Sequence, residues 1–333
     1  MKNVPPAPEL CEEEFATAQK TLFTEIRRVV YAVSFFILHS SFFILMFSSC
    51  SHRQEAIQFE ETDSIGIDST ALRVAVMPTM NCLSVFYAER SGLADSLGLK
   101  IKLLRYQAQM DIDTAIVYGH VDVAFTDLIR VCRLSEQVPI TPFAGCDEPL
   151  SLISLKTKRV KQVNQMKEQM IAVSRLSATD YWCDRVLDET HTSYDDIYRP
   201  QVNDVRLRAE MLRQGLIDAA MMGEPYATWM TMLGHKRLFQ SKDKQPRLYA
   251  WAACSSATAE QQKAFRQLLD SATVLLSDGM AEDILRDILK QEYELPPALA
   301  DTLMLPPLAP ITDIRPADTE KAAKWLAEKK QKH

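Results

Sequence analysis

Glycine is scarce in this sequence, with only 9 residues among 333. Neither a GxGxxG nor a GxxxxGK[ST] pattern occurs, so a phosphate-binding loop of either standard type is not expected. The seven cysteines form no CxxC pair and no cluster with histidine, which leaves a structural zinc site without support. The formal net charge is −6, and an acidic chain lacks the basic surface that nucleic-acid binding requires. We therefore expect no metal, no cofactor and no nucleic-acid partner.

The N-terminal region carries an apolar run without charge. Residues 29–47 contain no charged side chain, and Arg27 and Arg28 stand directly before them. A basic segment followed by an apolar run indicates a secretory signal. A length of about 19 residues would also allow a helix that spans a membrane. The sequence that follows the run favours the signal.

Two small residues come directly before a cysteine at the end of this run. Ser48-Ser49-Cys50 resembles a bacterial lipobox, in which the cysteine is lipidated and becomes the mature N-terminus. The resemblance implies a signal over residues 1–49 and a lipid on Cys50. The alternative is that residues 1–49 remain as an uncleaved anchor, and both alternatives place the body outside the cytoplasm. Residues 50–70 then form the lipidated cysteine and an acidic tether, since they hold little that could build a core.

From residue 71 onward, apolar runs of strand and helix type alternate. Their spacing predicts strands at 72–76, 101–104, 121–125, 170–173, 218–222 and 248–253. It predicts helices at 82–97, 111–118, 178–190 and 206–214, and Thr258 with Gln261 forms a capping box before a further helix. The alternation indicates an α/β fold with parallel strands. A chain of 333 residues is long enough for two core-forming units.

Four segments in this order resemble one family, the type 2 periplasmic solute-binding proteins of the alkanesulfonate, taurine and thiamine-precursor importers. They read LRVAVMPTMNCLSVFYAERSGL, GHVDVAFTDL, MIAVSRLSATDYW and GLIDAAMMGEPYATW. The resemblance implies a two-lobed fold whose lobes are joined by two crossing hinge segments. Lobe 1 would comprise residues 71–156 and 248–333, and lobe 2 residues 157–247. The ligand would lie in the cleft, which agrees with the preference of ligands for domain interfaces and the carboxyl ends of parallel strands.

The candidate ligand-binding residues of the first lobe follow its strands. Thr79 and Asn81 follow the first strand and offer a hydroxyl and an amide, although Asn81 could instead cap the next helix. Thr126 and Asp127 follow the third strand, and Asp127 could either accept from a ligand N–H or cap the helix behind it. Trp251 could supply an aromatic wall, although a large aromatic side chain is more often part of the core.

The second lobe supplies the remaining candidates. Arg175, Ser177 and Thr179 lie between a strand and a helix start, where free backbone N–H groups suit an anionic or carbonyl group. The family tends to have glycine at the position of Leu176. In the motif Glu-Pro-Tyr, Glu224 and Tyr226 are the candidates, and Glu224 resembles the cleft glutamate of the family; a surface carboxylate is the alternative.

These residues and the resemblance together predict a solute-binding lipoprotein that delivers a small organic molecule to an ABC permease by hinge closure. We expect a monomer, lipid-anchored at the periplasmic side of a bacterial membrane. The ligand is predicted to be neutral or cationic, because the carboxylates of Asp127 and Glu224 outnumber the single cation Arg175. One alternative is an enzyme on the same fold, of the thiamine-pyrimidine or menaquinone biosynthesis type. We do not expect an enzyme, because only His120 of the six histidines lies in the four segments and no carboxylate pair or nucleophile–base pair stands out. The other alternative is a ligand-sensing surface lipoprotein without transport.

Overall fold

The computed structural model describes residues 70–146, 148–242, 244–279 and 282–331. These residues belong to one compact unit, Ser69–His333. The predictions for the signal or anchor, for Cys50 and for the acidic tether therefore lie outside the described residues. Within the described ranges, no helix has both the length and the apolar character needed to cross a membrane.

The first sheet contains five strands in the order β2-β1-β3-β10-β4. Its parallel part consists of β1 (Leu72–Val76), β2 (Ile101–Arg105) and β3 (Val123–Asp127). Strand β10 (Tyr249–Cys254) runs antiparallel to both β3 and β4 (Ile140–Cys146). All five residues of β3 are buried, so this strand lies at the centre of the structure.

The second sheet also contains five strands, in the order β7-β6-β8-β5-β9. Strand β6 (Gln169–Ala172) is parallel to β7 (Ile197–Tyr198) and β8 (Ala219–Met222). Strand β5 (Ser151–Ser154) is antiparallel to β8 and to β9 (Lys236–Gln240). The chain leaves the first sheet after β4 and returns to it at β10, so it passes between the sheets twice.

The lobe boundaries drawn from the sequence remain a prediction, and the strand pairing departs from them at one place. The first lobe was expected to extend to residue 156. Strand β5, however, pairs with β8 and β9 of the second sheet. A strand of only four residues, Ser-Leu-Ile-Ser, carries no local signal for which sheet it will join, because pairing partners are set by contacts distant in sequence.

Eleven helices lie in the described residues and connect or cover the strands. The first four are α1 (Leu83–Arg90), α2 (Leu93–Ser96), α3 (Gln109–Val117) and α4 (Leu128–Leu134). The next three are α5 (Ala178–Glu189), α6 (Val205–Gln214) and α7 (Tyr226–Met232). The last four are α8 (Ala259–Ser277), α9 (Glu282–Gln291), α10 (Pro297–Ala300) and α11 (Pro316–Gln331).

Local signals explain several of the helix ends. The capping box of Thr258 and Gln261 is present at the start of α8, as the sequence predicts. The single helix expected over residues 82–97 is divided into α1 and α2. Gly92, with a φ of 71°, stands between them in the left-handed conformation that ends helices and that glycine adopts without steric cost.

Candidate functional site

A cavity of about 550 Å³ opens where segments that follow strands of both sheets meet. We call it the small cavity. Met80 and Asn81 reach it from the segment after β1, and Glu224 and Thr228 reach it from the segment after β8. Its volume lies within the range of about 300–1,000 Å³ that is usual for small-molecule sites. An apolar segment forms another part of the wall: Met304, Leu305, Pro306, Pro307, Leu308, Ala309 and Ile311.

Glu148 is the most unusual residue of the small cavity, and the sequence analysis missed it. Its side chain accepts a hydrogen bond from Asn81 Nδ2 at 3.0 Å through Oε2, whereas Oε1 is buried and has no hydrogen-bond partner among the described residues. Burial and the nearby charge of Glu224 raise the pKa of Glu148 to about 8, against the opposing effect of neighbouring backbone N–H groups. A carboxyl group that keeps its proton near neutral pH can donate as well as accept a hydrogen bond.

Gly223 allows Glu148 to approach the backbone. A Cβ atom at position 223 would lie 2.0 Å from Oε1 of Glu148, a distance that real Cβ contacts do not reach. Any other residue at 223 would displace the carboxyl group from its place between the two sheets. The only sequence signal for Glu148 was its position directly after β4 and before Pro149, which is where the chain first passes between the sheets.

Glu224 lies in the small cavity, as the sequence predicts for the cleft, and it is not the surface carboxylate of the alternative. Its side chain is buried, with Oε2 accepting from the backbone N–H of Thr228 at 2.8 Å. Oε1 pairs with Arg237 Nη2 at 3.0 Å, and Arg237 also lines the small cavity. The sequence analysis missed Arg237, which lies on strand β9 and carried no motif.

Tyr226 and Thr79 lie beside the small cavity in a chain of hydrogen bonds. The hydroxyl of Tyr226 donates to the carbonyl oxygen of Tyr293 at 3.1 Å, and the hydroxyl of Tyr293 donates to the carbonyl oxygen of Thr79 at 2.7 Å. The Thr79 hydroxyl lies 3.7 Å from the sulfur of Cys82. Burial raises the pKa of Cys82 to about 12, so this thiol is neutral and unreactive at physiological pH.

Asp127 caps helix α4, one of the two roles left open by the sequence. Its Oδ1 accepts from the backbone N–H of Arg130 at 3.0 Å, and its Oδ2 accepts from the backbone N–H of Ala178 at 3.2 Å. Burial raises its pKa, while Arg130 and the two N–H groups act in the opposite direction. Thr126 is fully buried, and its Oγ1 lies 3.4 Å from Gln109 Nε2.

The segment before α5 satisfies its own polar groups. Ser177 caps α5 by accepting from the backbone N–H of Thr179 at 3.1 Å, and it donates to the carbonyl oxygen of Ser174 at 2.6 Å. The Thr179 hydroxyl accepts from the backbone N–H of Ser174 at 2.9 Å. Leu176 has a φ of 51°, in the left-handed region that favours glycine, which accounts for the glycine at this position in the family pattern. Ser177 and Thr179 line neither of the two cavities described here.

The arrangement does not support the prediction that Trp251 forms an aromatic wall. Its side chain is fully buried, with its ring centroid 5.6 Å from that of Phe125 and 5.0 Å from that of Phe265. Strand β10 lies between β3 and β4, so both its edges are paired, and its four central residues are buried, so that its aromatic side chain belongs to the core. The sequence alone could not distinguish a core position from an aromatic wall of the ligand site, because a large apolar residue suits both.

A second, larger cavity of about 1170 Å³ separates α3 and α4 from the start of α5 and residues 193–201; we call it the large cavity. Arg175 lines it and is exposed, with Nη2 3.5 Å from the carbonyl oxygen of Arg199. Most charged groups of this cavity pair with each other: Arg130 and Arg133 with Asp113, and Arg199 with Asp180 and Asp184. The structure therefore places Arg175 apart from Asn81 and Glu224, contrary to the single cleft predicted from the sequence.

The predicted ligand-binding residues all fall within a segment that a family model recognises. The model, described as NMT1/THI5-like, matches residues 79–271, more than half of the chain. The chain belongs to the NMT1/THI5-like family. This confirms the type of protein recognised from the four sequence segments. No curated protein sequence matches the chain.

Solved structures show the same fold at low sequence identity. The alkanesulfonate-binding protein SsuA from Xanthomonas axonopodis pv. citri, bound to MOPS, gives a TM-score of 0.65 at 19% identity, over 78% of this chain and 91% of that chain. The aliphatic sulphonate-binding protein SsuA from Escherichia coli gives 0.64 at 17%, over 78% and 93%. PhnD1 from Prochlorococcus marinus, in complex with methylphosphonate, gives 0.55 at 12%, over 79% and 99%. These matches confirm the predicted two-lobed α/β fold of the periplasmic binding proteins.

The described residues offer no evident metal site. Within them, no group of three or more histidine, cysteine, aspartate or glutamate side chains is arranged to hold a metal ion. At the small cavity, Asn81, Glu148, Glu224 and Arg237 offer hydrogen bonding and charge pairing.

Proposed function

We propose that this protein is an extracytoplasmic solute-binding lipoprotein that binds a small neutral or cationic organic molecule and delivers it to an ABC permease. The observation that carries the proposal is the small cavity, in which a buried carboxyl group keeps one oxygen without a hydrogen-bond partner among the described residues. A buried polar atom left unpaired is costly, and a ligand that supplies its partner recovers that cost.

The charges of the small cavity support a ligand that donates hydrogen bonds. Two carboxyl groups, Glu148 and Glu224, line it together with Arg237 and Lys242. Arg237 pairs with Glu224, and Asn81 donates to Glu148. An amine or an amidine would donate N–H groups to the carboxyl groups of Glu148 and Glu224. The sequence predicts this ligand class from the charges of Asp127, Glu224 and Arg175. In the structure, Glu148 takes the place of Asp127 beside Glu224 in the small cavity.

Hinge closure is the mechanism that suits this arrangement. Asn81 follows a strand of the first sheet, Glu224 follows a strand of the second, and Glu148 lies on the connection between them. A ligand that contacts all three would stabilise the closed form more than the open form and would shift the population towards it. A permease then recognises the closed form. The lipid on Cys50 would hold the protein beside that permease, and we propose that it acts there as a monomer.

The likeness to known binding proteins supports this function without identifying the ligand. The alkanesulfonate-binding and methylphosphonate-bound proteins that share the fold carry anions, whereas the small cavity here is lined by two carboxyl groups beside the cations Arg237 and Lys242. For the enzyme alternative, the histidines of the described residues, His120, His191 and His235, line neither cavity.

A binding screen tests the proposal. The full-length protein, purified in mild detergent, is examined by thermal shift and then by calorimetry against amines, amidines, neutral polar compounds and alkanesulfonates. We expect hits among the first three groups. For a cationic hit, Glu224→Gln should weaken binding by about 1.5–3 kcal/mol, the usual scale of a hydrogen bond to a charged group. Micromolar binding of alkanesulfonates, with no binding of the other groups, would contradict the proposed ligand class.

The control for this variant is Glu210→Gln. Glu210 lies on the surface of α6, pairs with Arg213 and lines neither cavity. Glu210→Gln removes a carboxylate, as Glu224→Gln does, at a place remote from the small cavity. Equal losses of affinity in the two variants would mean that the overall charge, and not the small cavity, controls binding.

A further inference from the structure

The N-terminus of helix α5 is occupied by a carboxylate that comes from the other sheet. Oδ2 of Asp127, at the end of β3, accepts from the backbone N–H of Ala178, the first residue of α5, at 3.2 Å. Asp127 is only 2% exposed. The first turn of a helix presents N–H groups without partners in the helix, and this end attracts anions. The carboxylate therefore stands where an external anion would bind.

A buried arginine completes the surroundings of the same oxygen. Nε of Arg130 lies 3.6 Å from Oδ2 of Asp127 and has no hydrogen-bond partner within the described residues, although the side chain is only 1% exposed. Nη2 of Arg130 donates to Ser174 Oγ at 2.8 Å, and Nη1 pairs with Asp113. A helix N–H and a guanidinium N–H thus converge on one oxygen, a combination well suited to a sulfonate, phosphonate or sulfate oxygen.

Helix capping alone does not account for this arrangement. The cap of α4 uses only Oδ1 of Asp127, and a serine could supply it equally well. Helix α5 has its own cap in Ser177, which bonds the N–H of Thr179 and leaves that of Ala178 to Asp127. The second oxygen of Asp127 therefore has a role that neither cap requires.

We propose that Asp127 determines the selectivity of the cleft by filling an oxyanion position with its own carboxylate, so that oxyanion ligands are excluded. An incoming anion would meet both an occupied position and a like charge in surroundings shielded from water, where charge repulsion is strong. Arg130 also lines the large cavity, so the position lies one side chain away from that cavity. The inference rests on the proposed function only in that the cleft admits small ligands.

The test is to empty the position and offer it an anion. Asp127→Ser retains a good cap for α4 but removes the carboxylate, which leaves the Ala178 N–H and Arg130 Nε free. Sodium sulfate and methanesulfonate are titrated by calorimetry into the full-length protein in detergent, at constant ionic strength. We expect the serine variant to bind sulfate at least tenfold more tightly than the wild-type protein. A folded serine variant with no gain over wild type would overturn the proposal.

Asp127→Asn is the matched control, because its amide keeps the size of the side chain and still fills the position. We expect no gain of sulfate binding in it, and a gain equal to that of the serine variant would overturn the occupancy argument. If the serine variant does not fold, Asp127→Thr, which also caps helices, replaces it. Micromolar sulfate binding by the wild-type protein would overturn the proposal without any variant. The proposed function is tested with wild-type protein and organic ligands. The proposed function and the inference about Asp127 can therefore fail separately.

Discussion

The indole Nε1 of Trp325 donates a hydrogen bond to Oδ2 of Asp184 at 2.9 Å, which joins the C-terminal helix α11 to helix α5. Lys329 Nζ lies 2.8 Å from the same oxygen, and Arg199 pairs with the other one. Helix α11 also packs on α4, which follows a strand of the first sheet. The C-terminal helix therefore links elements of the two sheets, and Asp184 is the acceptor on which that link depends.

Removal of this acceptor should destabilise the protein strongly. In Asp184→Ala, the indole of Trp325 would lose its acceptor, and Lys329 and the half-buried Arg199 would lose one of their two carboxylate partners and keep only Asp180. We expect the free energy of unfolding to fall by about 3–5 kcal/mol, the usual cost of breaking a buried ion pair on one side. Urea denaturation followed by circular dichroism measures it.

The control is an exposed ion pair formed by a neighbouring lysine of the same helix, α11. Glu136 pairs with Lys330, the neighbour of Lys329, but both side chains are well exposed. Glu136→Ala should cost less than about 1 kcal/mol, because exposed ion pairs contribute little. Similar losses in Asp184→Ala and Glu136→Ala would contradict the role assigned to the buried acceptor.

Trp251 offers a test of whether an aromatic residue predicted for the ligand site belongs to the core. Trp251→Ala should destabilise the protein by about 3–5 kcal/mol because it leaves a large cavity between Phe125 and Phe265. Trp251→Phe keeps most of the apolar volume and should cost much less. Ligand affinity in the folded Phe variant should equal that of the wild type. Calorimetry with a ligand from the screen provides this comparison, and a tenfold loss of affinity would return Trp251 to the site.

The strand positions in the parallel parts were well predicted, because their apolar runs are bounded by clear turns. Strands were expected at 72–76 and 101–104, and β1 and β2 lie at Leu72–Val76 and Ile101–Arg105. The place of β5 in the second sheet was not predictable, since pairing over long sequence distances leaves no local pattern. The break at Gly92 could have been read, because a glycine near the end of a helical pattern is a common stop signal.

The site was predicted less completely than the fold. Asn81 and Glu224 were found because they directly follow parallel strands, where ligand groups collect. Glu148 and Arg237 were missed, since the burial and proximity that make them important arise only when distant segments meet. Ser177 and Thr179 were read as ligand groups, whereas in the structure their hydroxyls satisfy the segment before α5. A hydroxyl at a helix start suits both roles, and one sequence does not separate them.

Anchoring through Cys50 remains a prediction from the sequence. Cys50→Ala should abolish lipidation and leave the protein either soluble or uncleaved, because the thiol that carries the lipid is absent. Metabolic labelling of cells with a fatty acid, followed by isolation of the protein, measures the modification. Cys254→Ala, which changes a cysteine of β10, serves as the control and should keep the label. Label that persists in Cys50→Ala would rule out the lipobox assignment.

Glu148 should give the stability of the protein a distinct dependence on pH. Its pKa is raised to about 8 in the folded protein from an ordinary value of 4.5, so the folded state holds this proton more tightly than the unfolded state. The resulting stabilisation is fully present below pH 4.5 and is lost as the pH rises through 8. Glutamine does not titrate. Between pH 5 and pH 9, the difference in unfolding free energy should therefore move in favour of Glu148→Gln by about 4 kcal/mol.

Urea denaturation of wild type and variant at pH 5, 7 and 9 measures that difference, with Glu210→Gln as the control. The hydrogen bond from Arg213 lowers the pKa of Glu210 to about 2, so this group stays ionised across the whole range and its substitution should shift stability by the same amount at each pH. If the difference in unfolding free energy between wild type and Glu148→Gln is also the same at pH 5, 7 and 9, Glu148 is ionised in the folded protein. The donor role of its carboxyl group in ligand binding would then be excluded, and only an acceptor role, suited to a cationic ligand, would remain.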